Sequence, residues 1–133
     1  MLIIIGILAY AQTLFYPFVH DDVVFIQKNP AIQTLDVKEI FLRTNEAPAK
    51  GLINFYYRPV LDVVYRLEYQ LFKLNPSGYH LINILLHISN AMIILFLIQN
   101  IFKNSFLAFA AALIFLIHPV QTEAVACIVG ISN

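Results

Sequence analysis

The chain has 133 residues, of which 60% are hydrophobic and 12% are charged, and its mean hydropathy is +0.77. A soluble globular domain is about half apolar and about a quarter charged, so this composition favours a membrane protein. Eight basic and eight acidic residues cancel, which argues against a nucleic-acid-binding surface. The single cysteine, Cys127, cannot form an internal disulfide and leaves the redox compartment open.

The charged residues are concentrated in one central segment. Fourteen of the 16 lie between Asp21 and Lys73, and only Lys103 and Glu123 carry charge outside it. The flanking stretches are apolar and about as long as a membrane-spanning helix, which takes roughly 17 to 25 residues. We therefore predict an all-α membrane protein with three transmembrane helices, at residues 1–19, 78–102 and 104–122. Residues 20–77 form the predicted extracytoplasmic loop, and residues 123–133 begin the next extracytoplasmic segment.

The first apolar stretch has a second interpretation. Ala9-Tyr10-Ala11 has the small-x-small form of a signal-peptide cleavage site. No basic residue precedes the stretch, and apolar residues continue beyond this point to Val19, so we favour an uncleaved membrane anchor. The orientation rests on Lys103, the basic residue of the predicted cytoplasmic turn, because cytoplasmic loops are enriched in basic residues.

The loop is expected to contain an amphipathic helix at about 59–74. Pro59 suits the first helical position, and apolar residues recur after it with a 3.6-residue period at 60, 63, 64, 67, 71 and 74. Arg66 and Lys73 lie on the opposite side of this helix. Such a helix packs on a soluble core or lies in the membrane interface, and apolar spans on both sides in sequence favour the interface. A shorter helix is predicted around 36–43.

The second predicted span carries a stripe of polar residues. His80, Asn83, His87 and Asn90 fall within about an 80° arc when each residue advances roughly 100° around a helix. Polar side chains are costly when they face lipid, so the stripe should point into the protein. We favour helix-to-helix hydrogen bonding over a ligand or metal role, because two histidines seven residues apart without a third ligand are not a zinc signature.

Further polar residues lie at the predicted membrane boundaries. Asp21 and Asp22 follow the first span, and repulsion between adjacent carboxylates can raise one pKa into the range useful for a general base. Spacing alone favours a solvated helix flank instead. His118 and Glu123 lie at the end of the third span on the same predicted side, where a helix terminus would also account for them. Arg58 could donate two parallel hydrogen bonds to a phosphate, or contact a headgroup or a loop carboxylate.

A series of motifs occurs in an order that is specific to one family. The motifs are Phe18-Val19-His20-Asp21-Asp22, Asn29-Pro30, Tyr57-Arg58-Pro59, Leu74-Asn75-Pro76, Gly78-Tyr79-His80-Leu81-Ile82-Asn83, Leu85-Leu86-His87, Asn90-Ala91 and His118-Pro119-Val120-Gln121-Thr122-Glu123-Ala124-Val125. Over nearly its whole length the chain resembles the start of the transmembrane and tetratricopeptide-repeat O-mannosyltransferase-like proteins, which are polytopic glycosyltransferases of the GT-C type. Because members of that family have many more spans followed by repeats, we expect the chain to be a fragment of a larger GT-C bundle.

The resemblance implies a function for the full-length protein. It implies transfer of a sugar, mannose by the family's name, from a polyprenyl-phosphate donor to a Ser or Thr hydroxyl of a protein acceptor outside the cytoplasm. The implied membrane is the endoplasmic reticulum or the bacterial cytoplasmic membrane, with membrane lipid as a further partner and no nucleic acid. A divalent metal is a candidate cofactor. The resemblance implies Asp21 or Asp22 as the catalytic base, and the candidates for binding the donor phosphate or the substrate are Arg58, His80, His118 and Glu123.

Two other functions stay open at this point. The chain could be a non-catalytic membrane module whose polar stripe and loop assemble with partner subunits. It could also be part of a transporter, because intramembrane His and Asn residues suit solute paths, although the second span lacks a central glycine or proline break. On the transferase interpretation, Asp22→Asn in the complete protein is expected to abolish transfer while leaving membrane insertion intact.

Overall fold

The computed structural model describes residues 1–19, 21–28, 30–33 and 59–129. Within these ranges the chain forms helices and turns and no β-strand, so the all-helical prediction is confirmed there. The predicted helix at 36–43 lies outside the described residues. The α-helices are α1 (Leu2–Tyr10), α2 (Pro59–Phe72), α3 (Pro76–Phe102), α4 (Ser105–Ile117) and α5 (Thr122–Ala126). Short helical turns occupy Ala11–Phe15, Val23–Gln27, Pro30–Gln33 and Pro119–Gln121.

The chain divides into two compact units. The first unit contains Met1–Phe18 and Pro76–Asn133, and the second contains Val19–Asn75. The first unit therefore holds α1, α3, α4 and α5, and the second holds α2 and the turns before it.

The first unit is built on the α3–α4 hairpin, with α1 packed against both helices. The hairpin turns at Lys103, whose φ of 53° is left-handed, and at Asn104. The Asn104 side chain accepts hydrogen bonds from the backbone amides of Phe106 and Leu107 at 3.0 and 3.1 Å, which caps the start of α4. The buried cluster between the helices contains Leu2, Tyr10, Ile84, Ile88, Ala91, Ala112, Leu116 and Val125.

One glycine sets the closeness of this packing. A Cβ atom added to Gly6 in α1 would lie 2.7 Å from Cγ1 of Ile88 in α3 and 3.2 Å from Cδ1 of Leu116 in α4. Small residues let helix backbones approach one another closely, which matters most where the surroundings are lipid and helix association depends on packing. The absence of a side chain at Gly6 therefore lets α1 pack closely against both helices of the hairpin.

Among the described helices, α3 is long and apolar enough to cross a bilayer by itself. It has 27 residues, and only 22% of its most apolar 18-residue window is buried. The core helix of a soluble protein would be mostly buried, so this helix presents an apolar surface to lipid or to further protein. A second span is possible if α4 and Pro119–Ala126, which are bent by 49°, cross together. The apolar segment Leu2–Phe15 is shorter, and the three predicted spans are not confirmed.

The observed helix bounds differ from the predicted spans at particular residues. Helix α3 begins at Pro76 rather than at residue 78, which suits a proline at a first helical position. Helix α4 ends at Ile117 rather than at 122, because Pro119 lacks the backbone N–H that would continue the helix. In the first apolar stretch, regular α-helix ends at Tyr10, and a tighter turn continues it to Phe15.

In the second unit, α2 packs on the short turn Pro30–Gln33. The Gln70 side-chain amide donates a hydrogen bond to the Gln33 carbonyl at 3.0 Å. The helix runs over Pro59–Phe72, within the predicted 59–74, and Pro59 is its first residue. The 3.6-residue period of apolar residues therefore corresponds to a helix.

Candidate functional site

The two adjacent aspartates have different surroundings. Asp22 is 1% exposed, and its Oδ2 accepts a hydrogen bond from the Val19 backbone amide at 3.2 Å. The Asp22 amide in turn donates to the Val19 carbonyl at 2.9 Å. The side-chain bond corresponds to the acidic half of a capping box, in which a carboxylate accepts from the amide three residues earlier. Asp21 is exposed, and its carboxylate accepts no hydrogen bond from the described residues.

His80 is the predicted site residue that the structure buries most deeply. It is 0% exposed near the start of α3, and the Tyr16 ring meets its ring edge-on with centroids 6.4 Å apart. Ser77, one turn earlier, donates a hydrogen bond to the Leu14 carbonyl at 2.7 Å, which ties the start of α3 to the end of the first apolar segment. His80 therefore lies in a packed part of the first unit.

The rest of the polar stripe is used for contacts between elements of the first unit. Asn83 donates a hydrogen bond to the Cys127 carbonyl at 3.2 Å. His87 lies with Nε2 3.0 Å from the carbonyl of Leu116 in α4, and because a carbonyl only accepts, Nε2 carries the hydrogen. Asn90 is exposed. The prediction of helix-to-helix hydrogen bonding is confirmed for His87, whereas Asn83 bonds to the residue that follows α5.

The Leu116 carbonyl is the meeting point of three helices. Tyr10 of α1 donates its hydroxyl to this oxygen at 3.0 Å, beside the bond from His87. The carbonyl has no partner from its own helix, because the Val120 amide, four residues on, donates instead to Nδ1 of His118 at 3.2 Å. A backbone group freed by the helix end is thus satisfied by side chains from α1 and α3.

His118 and Glu123 lie on either side of the bend that follows α4. Both are exposed; His118 caps the turn Pro119–Gln121, and Glu123 is in the first turn of α5. The acidic pair belongs to the other unit, so the meeting of the two groups at one rim stays a prediction. Arg58 lies outside the described residues. No group of three or more His, Cys, Asp or Glu in the described ranges could hold a metal ion.

Sequence reasoning missed the burial of two charged residues of α2. Arg66 is 1% exposed and Glu68 is 5% exposed, whereas Val60 and Leu71 on the apolar stripe are 70% and 73% exposed. Burial raises the pKa of Glu68 from 4.5 to about 7, and its Oε2 has no hydrogen-bond donor among the described residues. The apolar stripe of the helix therefore faces outward, whereas Arg66 and Glu68, which lie about 200° apart around the helix, are buried on its two flanks. Periodicity locates the two faces but does not say which one is outside.

Comparison with known proteins gives one consistent result. The chain is 38% identical to mouse (Mus musculus) protein O-mannosyl-transferase TMTC1 over 92% of its length, and 35% identical to the Caenorhabditis elegans protein O-mannosyl-transferase F38B6.6 over 98%. It is 32% identical to human (Homo sapiens) protein O-mannosyl-transferase TMTC3 over 96% of its length. This chain is a homologue of the protein O-mannosyl-transferases. The resemblance predicted from the ordered motifs is therefore confirmed.

These O-mannosyl-transferase relatives are much longer than the chain. It spans 14% of the mouse TMTC1 and human TMTC3 proteins and 20% of the C. elegans protein. No protein-family model matches the chain, and no solved structure matches it. The homology together with the apolar, largely unburied α3 indicates a membrane protein.

Proposed function

We propose that this chain is part of a membrane-embedded O-mannosyltransferase of the GT-C type and carries its acidic catalytic pair. The observation that carries the proposal is the homology over 92% to 98% of the chain to proteins named protein O-mannosyl-transferases. The proposed reaction moves mannose from a polyprenyl-phosphate donor to a Ser or Thr hydroxyl of a protein. Asp21 and Asp22 are the acidic pair, which the family resemblance assigns to the catalytic centre.

The chemistry requires a base and a stabilised leaving group. One carboxylate of the pair takes the proton from the acceptor hydroxyl, and the hydroxyl oxygen attacks the anomeric carbon of the sugar. The bond between that carbon and the phosphate oxygen breaks, and the lipid phosphate leaves with the electron pair. The leaving phosphate needs hydrogen-bond donors or positive charge. The proposed residues are Arg58 and His118, with Glu123 orienting a donor, because His80 is fully buried.

The proposed location is a multi-pass protein of the endoplasmic reticulum or a bacterial cytoplasmic membrane. The outward apolar stripe of α2 supports a position in the membrane interface, because Val60 and Leu71 would be costly to leave in water while Arg66 and Glu68 are turned inward. Only three residues separate the end of α2 from the start of α3, the candidate span. In this position α2 would line the entrance for a membrane-dissolved donor.

The test is a transfer assay on the complete gene product. The protein is reconstituted in vesicles with a radiolabelled polyprenyl-phosphate mannose and an acceptor protein domain, and labelled acceptor is measured. We expect wild type to transfer mannose and the double variant Asp21→Asn/Asp22→Asn to lose at least about 100-fold, the usual contribution of a positioned base. Glu46→Gln, which removes a carboxylate of the same predicted loop, is the matched control and should stay active.

Three results would contradict the proposal in whole or in part. One is a wild-type protein that inserts in the membrane and binds the donor but moves no sugar, which favours a non-catalytic membrane module. Another is a double variant as active as the Glu46→Gln control, which removes the acidic pair from the reaction. Labelled acceptor that appears only with a soluble nucleotide sugar would refute the lipid-linked donor.

A further inference from the structure

The two carboxylates of the acidic pair cannot occupy equivalent positions. They are consecutive residues of a helical turn, so their side chains point about 100° apart. One of them, Asp22, is 1% exposed, and its Oδ2 accepts a hydrogen bond from the Val19 backbone amide at 3.2 Å. The other, Asp21, is exposed and accepts no hydrogen bond from the described residues.

We propose that the pair divides the work: Asp21 is the catalytic carboxylate that takes the proton from the acceptor hydroxyl, and Asp22 is a positioning residue that fixes the turn carrying it. This inference rests on the proposed O-mannosyl transfer and assigns roles within that site. The division follows from which carboxylate is held by its own backbone and which one is accessible.

Access decides which carboxylate meets the acceptor. A general base must come within about 2.6–3.2 Å of the hydroxyl oxygen, or reach it through one water. Asp21 satisfies this condition without rearrangement, because its side chain is exposed at the start of the turn. Asp22 would have to break its bond to Val19 and leave a buried position, and the Val19 amide would then lose its acceptor.

The role of Asp22 follows from the same bond. The Asp22 side chain binds the Val19 amide while the Asp22 amide binds the Val19 carbonyl, so the two bonds close the segment from 19 to 22 on itself. Asp21 lies inside this closed segment. The Asp21 backbone is therefore held on both sides. Loss of the side-chain bond between Asp22 and Val19 would first change the direction of the Asp21 side chain.

The experiment compares substitutions at the two positions in the complete protein, under the conditions of the transfer assay. Asn at position 22 keeps a side-chain oxygen that can accept from the Val19 amide, whereas Ala does not. Asn at position 21 removes the base. We expect Asp21→Asn to lower kcat by about 100-fold or more with KM little changed. We expect Asp22→Asn to lower it about tenfold, because a neutral acceptor is weaker than a carboxylate, and Asp22→Ala to lose more.

Rescue by the conservative variant distinguishes positioning from proton transfer. Asp22→Asn, which keeps an acceptor for the Val19 amide, should recover much of the activity that Asp22→Ala loses. Asp21→Asn, which keeps the shape of the side chain but cannot take the proton, should recover none of the activity that Asp21→Ala loses. Membrane insertion and resistance to limited proteolysis are measured for every variant, so that a misfolded Asp22→Ala protein is recognised and Asp22→Asn then decides the comparison.

The possible outcomes contradict different claims. The division of roles is overturned if Asp22→Asn loses as much activity as Asp21→Asn, or if Asp21→Asn stays active while Asp22→Asn does not. The latter result would restore the sequence-based expectation that Asp22→Asn abolishes transfer. If both single variants are as active as wild type, the acidic pair is not the catalytic centre. If wild type transfers no mannose, the proposed function fails and the division of roles fails with it.

Discussion

The buried carboxyl group of Glu68 gives a quantitative prediction about stability. Its pKa is raised from 4.5 to about 7 by burial on one flank of α2. Below pH 4.5 the group is protonated in both the folded and the unfolded chain, so ionisation costs the fold nothing. Between pH 4.5 and 7 the unfolded chain releases the proton while the folded chain retains it, so stability falls as the pH rises. Above pH 7 the full cost is present.

The size of the effect follows from the shift. A difference of about 2.5 pKa units corresponds to about 3 kcal/mol at 1.36 kcal/mol for each unit. Glu68→Gln removes the titration while keeping the shape of the side chain. Relative to the variant, wild type should be penalised by about 3 kcal/mol at pH 7.5 and by about 1 kcal/mol at pH 5, where the unfolded carboxyl is still partly protonated.

The complete protein is unfolded in a fixed detergent at the two pH values, and pulse proteolysis measures the fraction that remains folded. The quantity compared is the free energy of unfolding of Glu68→Gln minus that of wild type, because a constant cost of the buried amide cancels between the two pH values. Glu123→Gln is the control, since that carboxylate is exposed. If the free energy of unfolding depends on pH equally in wild type and in Glu68→Gln, burial does not disfavour the ionised form of Glu68.

Three further substitutions test the packing of the first unit, each by the shift in unfolding midpoint in detergent. Gly6→Ala should destabilise it by about 1–3 kcal/mol, because the added Cβ would lie 2.7 Å from Cγ1 of Ile88, and an unchanged midpoint would mean that α1 does not pack there. Asn104→Ala should cost about 1 kcal/mol through the lost cap of α4, and Asn104→Asp should restore it. Tyr10→Phe should cost about 1 kcal/mol by removing the hydroxyl bond to Leu116, and a neutral effect would contradict that bond.

Local patterns in the sequence were enough to find α2 and α3. The uncharged stretch after Asn75 predicted α3, and the 3.6-residue period after Pro59 predicted α2, because both signals depend on residues a few positions apart. The inward direction of the polar stripe was also predictable for His87, since a polar side chain in a span avoids lipid. These features need no knowledge of distant contacts.

The features that spacing could not give depend on backbone closure or on distant partners. The difference between Asp21 and Asp22 arises from a bond back to Val19, which exists only once the turn has formed. The burial of Glu68 depends on which face of α2 is covered, and a periodic pattern is the same whichever face that is. The ordered motifs identified the family, but whether the acidic pair meets His118 requires the arrangement of the two units and stays a prediction.

The hydrogen bonds to the Leu116 carbonyl bear on whether the first apolar stretch is removed as a signal peptide. Cleavage after Ala11 would remove Tyr10, which is buried and donates to the Leu116 carbonyl across 106 residues of sequence. It would also remove Gly6 from its contact with Ile88. Because the break at Pro119 prevents α4 from continuing, its freed carbonyl needs donors from other helices, and an unsatisfied one is costly in apolar surroundings. In the fold α1 is therefore a structural part of the helical unit, and the membrane anchor at residues 1–19 stays a prediction.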